Sequence, residues 1–412
     1  MNTTSINQSS INTADQPGWL IQGVLRHLLQ LQDGELLLNL PGGSSQRVGA
    51  PAEDALQAQV HVHNQECFRK IALNGSLGAA EAYLNGDWTT DDLVSVLRIF
   101  CRNLDQLSQM ERGLAALLTT AARWWHNRRR NTVDGSQRNI AEHYDLSNEF
   151  FQLFLDPTLM YSAALFERPE MTLQQASVAK LDRICQRLDV RPGDHIIEIG
   201  TGWGGWALHA AQNYGCRITT TTISRNQYEL AQQRIAAAGL TDRVTVLLKD
   251  YRHLTGTFDK LVSIEMIEAV GHEFLPQYFQ ACHNLLKPGG RMVIQAITMP
   301  DHRYEVYRRS VDFIQRYIFP GGHLPSVRAM QQATEQGTWL QLVEAVQFPD
   351  SYALTLRHWR NAFHERLDEV RALGFDERFI RMWDYYLCYC EAAFLERAVH
   401  VGQFVWERNR YC

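Results

Sequence analysis

A chain of 412 residues, 45% hydrophobic and 21% charged, is long enough for two or three domains with a sizeable buried core. Its net charge of −5 argues against a general nucleic-acid binder, and the lack of any run of about 18 mainly apolar residues excludes a membrane-spanning helix. The eight cysteines are scattered, and Cys388-x-Cys390 has no second pair to match it, so reduced thiols and no metal site are expected.

Residues 1–18 are dominated by Asn, Ser and Thr without a basic start or an apolar block. They read as a disordered tail and not a signal peptide, which makes the cytoplasm the expected compartment. A small α+β domain is expected over 19–126. It holds a helix from Trp19 to Leu31, strand-like Glu35–Leu40, the turn Pro41-Gly42-Gly43 and a strand at Val60–His63. A short helix over Ser76–Trp88, closed by Asn85-Gly86, and another from Asp91 follow. Only five of the forty basic residues are lysine, and the planar fork of arginine suits phosphate. The run Arg123-Trp-Trp-His-Asn-Arg-Arg-Arg130 is compatible with an anionic membrane surface and equally with a solvated interdomain helix whose tryptophans pack on a neighbour. Residues 127–138 are the expected linker to a second domain over 139–412.

In that domain strand candidates Ile196–Gly200, Ile218–Thr222, Val244–Leu248, Lys260–Ile264 and Arg291–Ala296 are separated by helical segments or turns such as Lys287-Pro-Gly-Gly290. The alternation predicts an α/β, doubly wound (Rossmann-like) parallel sheet. Ligands collect at the carboxyl ends of such strands, which singles out Glu198, Thr222, Asp250 and Glu265. Around the first strand, His195-Ile-Ile-Glu-Ile-Gly-Thr-Gly-Trp-Gly-Gly-Trp206 gives a strand, a glycine turn and a helix start. Gly200, Gly202 and Gly205 carry the spacing of a nucleotide-binding turn. Alone, the turn is compatible with a dinucleotide, a methyl-donor nucleoside or a plain tight connection. Glu198 is placed to fix a nucleoside, whereas a dinucleotide site wants an acid about 20 residues further on; Arg217–Arg225 contains none. Arg225 suits the 2′-phosphate of NADP, which keeps an NADP-dependent oxidoreductase as one alternative. A noncatalytic lipid-binding protein, resting on the Trp-Arg run and the first domain, is another. Asp250-Tyr251 offers an acceptor for an exocyclic amine beside an aromatic face, and Glu265 and Glu268 put two carboxylates near one crevice.

Several motifs in order resemble the cyclopropane fatty acid synthase family. They are His143-Tyr-Asp-Leu-Ser-Asn148, Met160-Tyr-Ser162, Glu198–Gly205, Thr222-Ile-Ser-Arg-Asn-Gln227, Asp250-Tyr-Arg252, Glu265-Met-Ile-Glu-Ala-Val-Gly271 and Ile318–Ser326. The resemblance covers nearly the whole chain beyond the tail. It implies methyl transfer from S-adenosylmethionine to a double bond of a phospholipid acyl chain by a peripheral enzyme at the inner face of the membrane. The cofactor would lie across Gly200 and Gly202, lined by Tyr144, Tyr161, Ser162, Thr222, Gln227 and Asp250. Glu198, Tyr251 and Glu265 join them as candidates by their places at strand ends.

The resemblance further implies a carbocation beside the new carbon, and a bound bicarbonate that takes a proton from the added methyl as the ring closes. Glu268 matches the glutamate of the bicarbonate site and Ile297 a position donating its backbone N–H there. Gln295 stands where many bacterial members have His, Arg360 where they have Tyr, and Ala163 where they have Cys. Arg360, if it points inward, suits an anion by charge or pairs with Glu268. Cys390 matches a cysteine viewed as a candidate catalytic residue; nothing in Tyr385–Glu391 lowers its pKa, which favours a lining role. The aromatic stretch Phe375–Trp406 suits the roof of an acyl channel or a helix packed on a sheet. A cyclopropane is the expected product, with a methyl-branched or methylene chain as the alternative that Ala163 keeps open. A homodimer, pairing two lipid-binding domains, is a further expectation.

Overall fold

The computed structural model describes residues 18–104, 106–107 and 146–411. Tyr144, the Arg123–Arg130 run and the linker at 127–138 lie outside the described residues. The described chain falls into two compact units, one of residues 18–91 with 103–104 and 106–107, the other of residues 92–102 with 146–411.

The first unit is a four-stranded sheet with two helices, Trp19–Leu28 and Glu66–Leu84. Its strands are β1 (Gly34–Asn39), β2 (Ser45–Ala50), β3 (Gln57–Val62) and β4 (Trp88–Thr89), in the order β2-β1-β3-β4. Leu36 and Leu38 of β1 and Val60 and Val62 of β3 are buried at alternate positions, the period that one covered sheet face demands. The helix before Asn85-Gly86 starts ten residues earlier than Ser76, at Glu66, and Gly75 breaks it with φ 56° and ψ −131°. Strand β2 has no counterpart in the sequence expectation, because Ser45-Gln-Arg-Val-Gly-Ala50 buries only Val48 and sits at an edge.

The second unit is built on a seven-stranded sheet. Its strands are β5 (His195–Ile199), β6 (Arg217–Thr222), β7 (Val244–Leu248), β8 (Phe258–Ile264), β9 (Leu286–Thr298), β10 (Leu340–Gln347) and β11 (His400–Arg408). In the order β10-β11-β9-β8-β5-β6-β7, strands β5 to β9 run parallel, and β11 enters antiparallel between β9 and β10. The expected parallel sheet is therefore mostly parallel, completed by two strands from the chain's last quarter. Pro288-Gly289-Gly290, expected as a turn, lies within the β9 span but is looped out of register: Phe258 pairs with Leu286 and Lys260 with Arg291. Strand β5 buries both faces. Ile197 and Ile199 join one core layer with Leu261, Ile294, Phe404 and Trp406, while Ile196 joins the other with Trp206, Ile218 and Leu181.

Two helices matter for the crevice. Leu173–Leu188 starts in a capping box, Thr172 and Gln175 each accepting the other's backbone N–H, and ends on left-handed Asp189 at φ 53°. Glu377–Leu395 starts on Asp376, whose side chain accepts from the Phe379 N–H. Helix Leu93–Arg102 belongs to this second unit, where Arg98 and Arg102 both donate to Glu396. Strand order reverses between β5 and β8, each of which neighbours the other and then diverges, so the crevice for a ligand opens at their carboxyl ends.

Candidate active site

The crevice begins where β5 ends. Gly200 (φ 102°) and Gly202 (φ 52°) take conformations that side chains resist, and both Gly200 N and Thr201 N donate to the Thr221 carbonyl at 3.0 Å. A Cβ on Gly202 would meet nothing within 4 Å, so the turn faces open space there. One on Gly205 would stand 2.6 Å from Met160 Sδ and the Thr158 carbonyl, which brings the turn tight against the segment leading to Tyr161. Trp203, in the same turn, donates its indole N–H to Asn148 Oδ1 at 2.7 Å and packs on Phe151.

On the β6 side, Thr222 donates to Gln227 Oε1 at 2.8 Å, and Ser224 caps the helix Arg225–Ala237 by accepting the Gln227 N–H. Thr222 and Gln227 are both buried and held as one unit. Glu198 is 1% exposed, and its Oε2 accepts from Thr220 Oγ1 at 2.6 Å. Burial pushes its carboxyl up from 4.5 to about 8, against the pull of the Thr220 hydrogen bond. Asp250 is already engaged by a neighbour. Burial raises its pKa, yet Arg252, donating through Nε at 2.9 Å and Nη2 at 2.7 Å, brings it net below the usual carboxylate range. The same guanidinium lies over the Tyr251 ring at 5.5 Å.

Next to the glycine turn, reached through the packing of Trp203 on Phe151, stands an aromatic wall. Tyr161 packs within 5.1 Å of Phe151, 5.3 Å of Trp359 and 6.4 Å of Phe319, and its hydroxyl meets that of Tyr386 at 2.9 Å. Tyr386 in turn touches Trp383 and Phe319. The aromatic stretch after Phe375 thus divides: its helix supplies part of this wall, and Phe404 and Trp406 belong to β11 in the sheet core.

Beneath the wall Glu265 closes a polar network. It sits in the left-handed region at φ 47°, its own N–H held by the Gln295 carbonyl at 2.7 Å. Oε1 accepts from Ala163 N at 2.9 Å and Gln295 Nε2 at 2.8 Å, and Oε2 from the Tyr352 hydroxyl at 2.9 Å. Gln295, fully buried, also donates to the Ala163 carbonyl and accepts from Gln403, which accepts from Arg183. Lys180 is fully buried too and donates to Ser162 Oγ at 2.6 Å; burial lowers its pKa to about 8, although Glu265 and Asp156 pull it up. Lys180, Arg183, Tyr352 and Gln403 escape a motif-based reading. The one signal was a lysine on the apolar stripe of its helix, among Ala176, Leu181, Ile184 and Leu188.

Glu268 is anchored twice. Its Oε1 accepts the Ile297 N–H at 2.6 Å and its carbonyl accepts the His323 N–H at 2.8 Å, while Oε2 is sealed from solvent without a hydrogen-bond partner. Burial, then the charge of Glu265, push its pKa from 4.5 up to about 8. Arg360 does not meet Glu268: it donates to Asp384 at 2.7 Å, which His364 Nε2 also approaches at 2.7 Å. Cys390 is a thiol whose pKa burial raises, with the charge of Asp312 acting the same way, so it is no ready nucleophile.

A carbonate ion does not fit the residues that the family resemblance would assign to it. Ala163 brings a methyl group and spends its N–H on Glu265; Gln295 donates to Glu265 and Ala163; Ile297 donates to Glu268; Arg360 donates to Asp384. Among the described residues no cluster of His, Cys, Asp and Glu is placed to hold a metal, and no helix is long and apolar enough to cross a membrane.

The family model for mycolic acid cyclopropane synthetase matches residues 131–404. The chain is 42% identical over 364 residues to a tuberculostearic acid methyltransferase, UfaA1, of Mycobacterium tuberculosis, covering 86% of this chain and 84% of that one. It is 34% identical over 367 residues to the cyclopropane-fatty-acyl-phospholipid synthase of Escherichia coli, covering 88% and 91%. Its structure resembles that of mycolic acid cyclopropane synthase CmaA1 complexed with SAH and CTAB, with a TM-score of 0.61 and 34% identity over 66% of this chain and 98% of that one. With a glycine turn at the switch point of a mostly parallel sheet and these relatives, the chain belongs to the mycolic acid cyclopropane synthetase family and is an S-adenosylmethionine-dependent methyltransferase.

Proposed function

We propose that this enzyme methylates the double bond of an unsaturated acyl chain carried on phospholipid, working as a peripheral protein at the inner face of the membrane. The observation that carries this reading is the aromatic wall around Tyr161, Trp359, Phe319 and Tyr386, set beside an acid pair at Glu265 and Glu268. An alkene is a weak nucleophile that becomes a carbocation once it accepts a methyl group. What it needs from a protein is placement, exclusion of water, and π faces or negative charge beside the cation.

In this reading Gly200, Gly202, Tyr161, Ser162, Thr222, Gln227 and Asp250 hold S-adenosylmethionine, which supplies an electrophilic methyl group. Lys180 keeps Ser162 in place, and Glu265 brackets the Tyr161–Ala163 segment through the Ala163 N–H. The E. coli relative is named for cyclopropane formation on acyl phospholipid, which supports the substrate class. A second reading of the product, a methyl-branched or methylene chain without a ring, is favoured by Ala163 and by the relative named for tuberculostearic acid.

Incubating the enzyme with S-adenosylmethionine and vesicles of monounsaturated phospholipid, followed by mass spectrometry of the released chains, tests both readings. A gain of one CH2 is expected. With that gain, loss of the double bond marks ring closure, a retained double bond marks the methyl-branched or methylene chain, and unmodified lipid would sink the assignment.

A further inference from the structure

We propose that Glu268 itself, and not a carbonate ion held beside it, takes the proton released after methyl transfer. The inference rests on the methyl-transfer reading above. Its first support is that the groups which the family resemblance would assign to an anion here already serve protein acceptors: the N–H groups of Ala163 and Ile297, the Gln295 amide and the Nε–H of Arg360. A carbonate there would lie near two glutamates, with these N–H groups already turned to protein acceptors.

The second support is Glu268 Oε2. A buried carboxyl oxygen without a hydrogen bond is costly to keep, and folded proteins leave few such atoms without a use. Here the rest of the residue is fixed at both ends. Ile297 N–H holds Oε1 at 2.6 Å and His323 N–H holds the main-chain carbonyl at 2.8 Å, so the bare oxygen is a rigid acceptor. Rigidity and a vacant lone pair are what a base needs for a carbon acid that cannot be drawn in by hydrogen bonding.

The electron balance is simple. The π electrons of the alkene form the new C–C bond as the methyl–sulfur bond breaks, its pair staying on sulfur, and the other alkene carbon becomes cationic. Oε2 then takes a proton from the transferred carbon. That C–H pair closes a cyclopropane at the adjacent cation, or forms an exocyclic double bond after a hydride has moved between the two former alkene carbons. Glu268 ends protonated and returns its proton to water, and no further reactant is consumed.

The test uses the full-length enzyme, methyl-labelled S-adenosylmethionine and monounsaturated phospholipid vesicles, in buffer purged of carbon dioxide and again with bicarbonate restored. The expected result is equal turnover in both buffers. Glu268→Gln is expected to turn over about a hundredfold more slowly while binding S-adenosylhomocysteine as tightly as the parent. Turnover that collapses on purging and returns with bicarbonate overturns the proposal, as does a Glu268→Gln enzyme of undiminished rate. Lipid left unlabelled by the parent enzyme in both buffers overturns the methyl-transfer reading itself, and is told apart by that.

Discussion

Glu198 shows how a residue can be found by position while its surroundings stay hidden in the sequence. Its place two residues before Gly200 is plain in the sequence; its burial beside Thr220 is not, because Thr220 is 22 positions away and meets it only through the pairing of β5 with β6. The consequence is a pH dependence. The folded pKa, raised by burial from 4.5 to about 8, means that the folded state holds the proton more tightly than the unfolded chain. The stability contributed by the neutral acid is thus complete below about 4.5 and is lost as pH rises toward about 8. Glu198→Gln, neutral at every pH, is expected to flatten the decline between those values in urea unfolding of the unliganded enzyme; a parallel decline in both proteins would remove Glu198 as its source. Arg360 and Asp250 make the same point about partners. Each was legible as a charged group near the crevice, but Asp384 and Arg252 decide what that charge is free to do.

At the scale of elements, the five parallel strands were legible because each holds a short stretch rich in β-branched residues, the threonines of β6 included, bounded by glycine, proline or a polar turn. The two antiparallel strands were not. Val401, Phe404, Val405 and Trp406 are buried on both faces of β11, so no alternation separates the strand from the helix that ends at Leu395. Strand β10 is an edge that buries fully only Leu340, and carries too little pattern to announce itself. The helix Leu173–Leu188 matters beyond its own stability, because it presents Lys180 to Ser162 and Arg183 to Gln403. Its capping box ties the first turn in place, and Thr172→Ala is expected to cost about 1 kcal/mol, read as a lower urea midpoint with an unchanged slope. An unchanged midpoint would show that tertiary packing alone holds that end.

For the molecule as a whole, the switch point between β5 and β8 gathers residues from almost every part of the second unit. Gly202 comes from the first turn, Tyr161 from the preceding segment, Glu265 and Glu268 from the end of β8, Trp359 and Tyr386 from late helices. Motif spacing found the turn and the acids, since each lies within one short stretch. The aromatic wall and the Gln295–Glu265–Ala163 network join residues more than a hundred positions apart, and only the fold brings them together. The central claim, that this crevice methylates an acyl double bond, is tested most directly by offering the enzyme methyl-labelled S-adenosylmethionine with two vesicle preparations that differ only in acyl unsaturation. Label is predicted in the chains of monounsaturated phospholipid and not in those of the saturated one; equal labelling of both, or of neither, would contradict it.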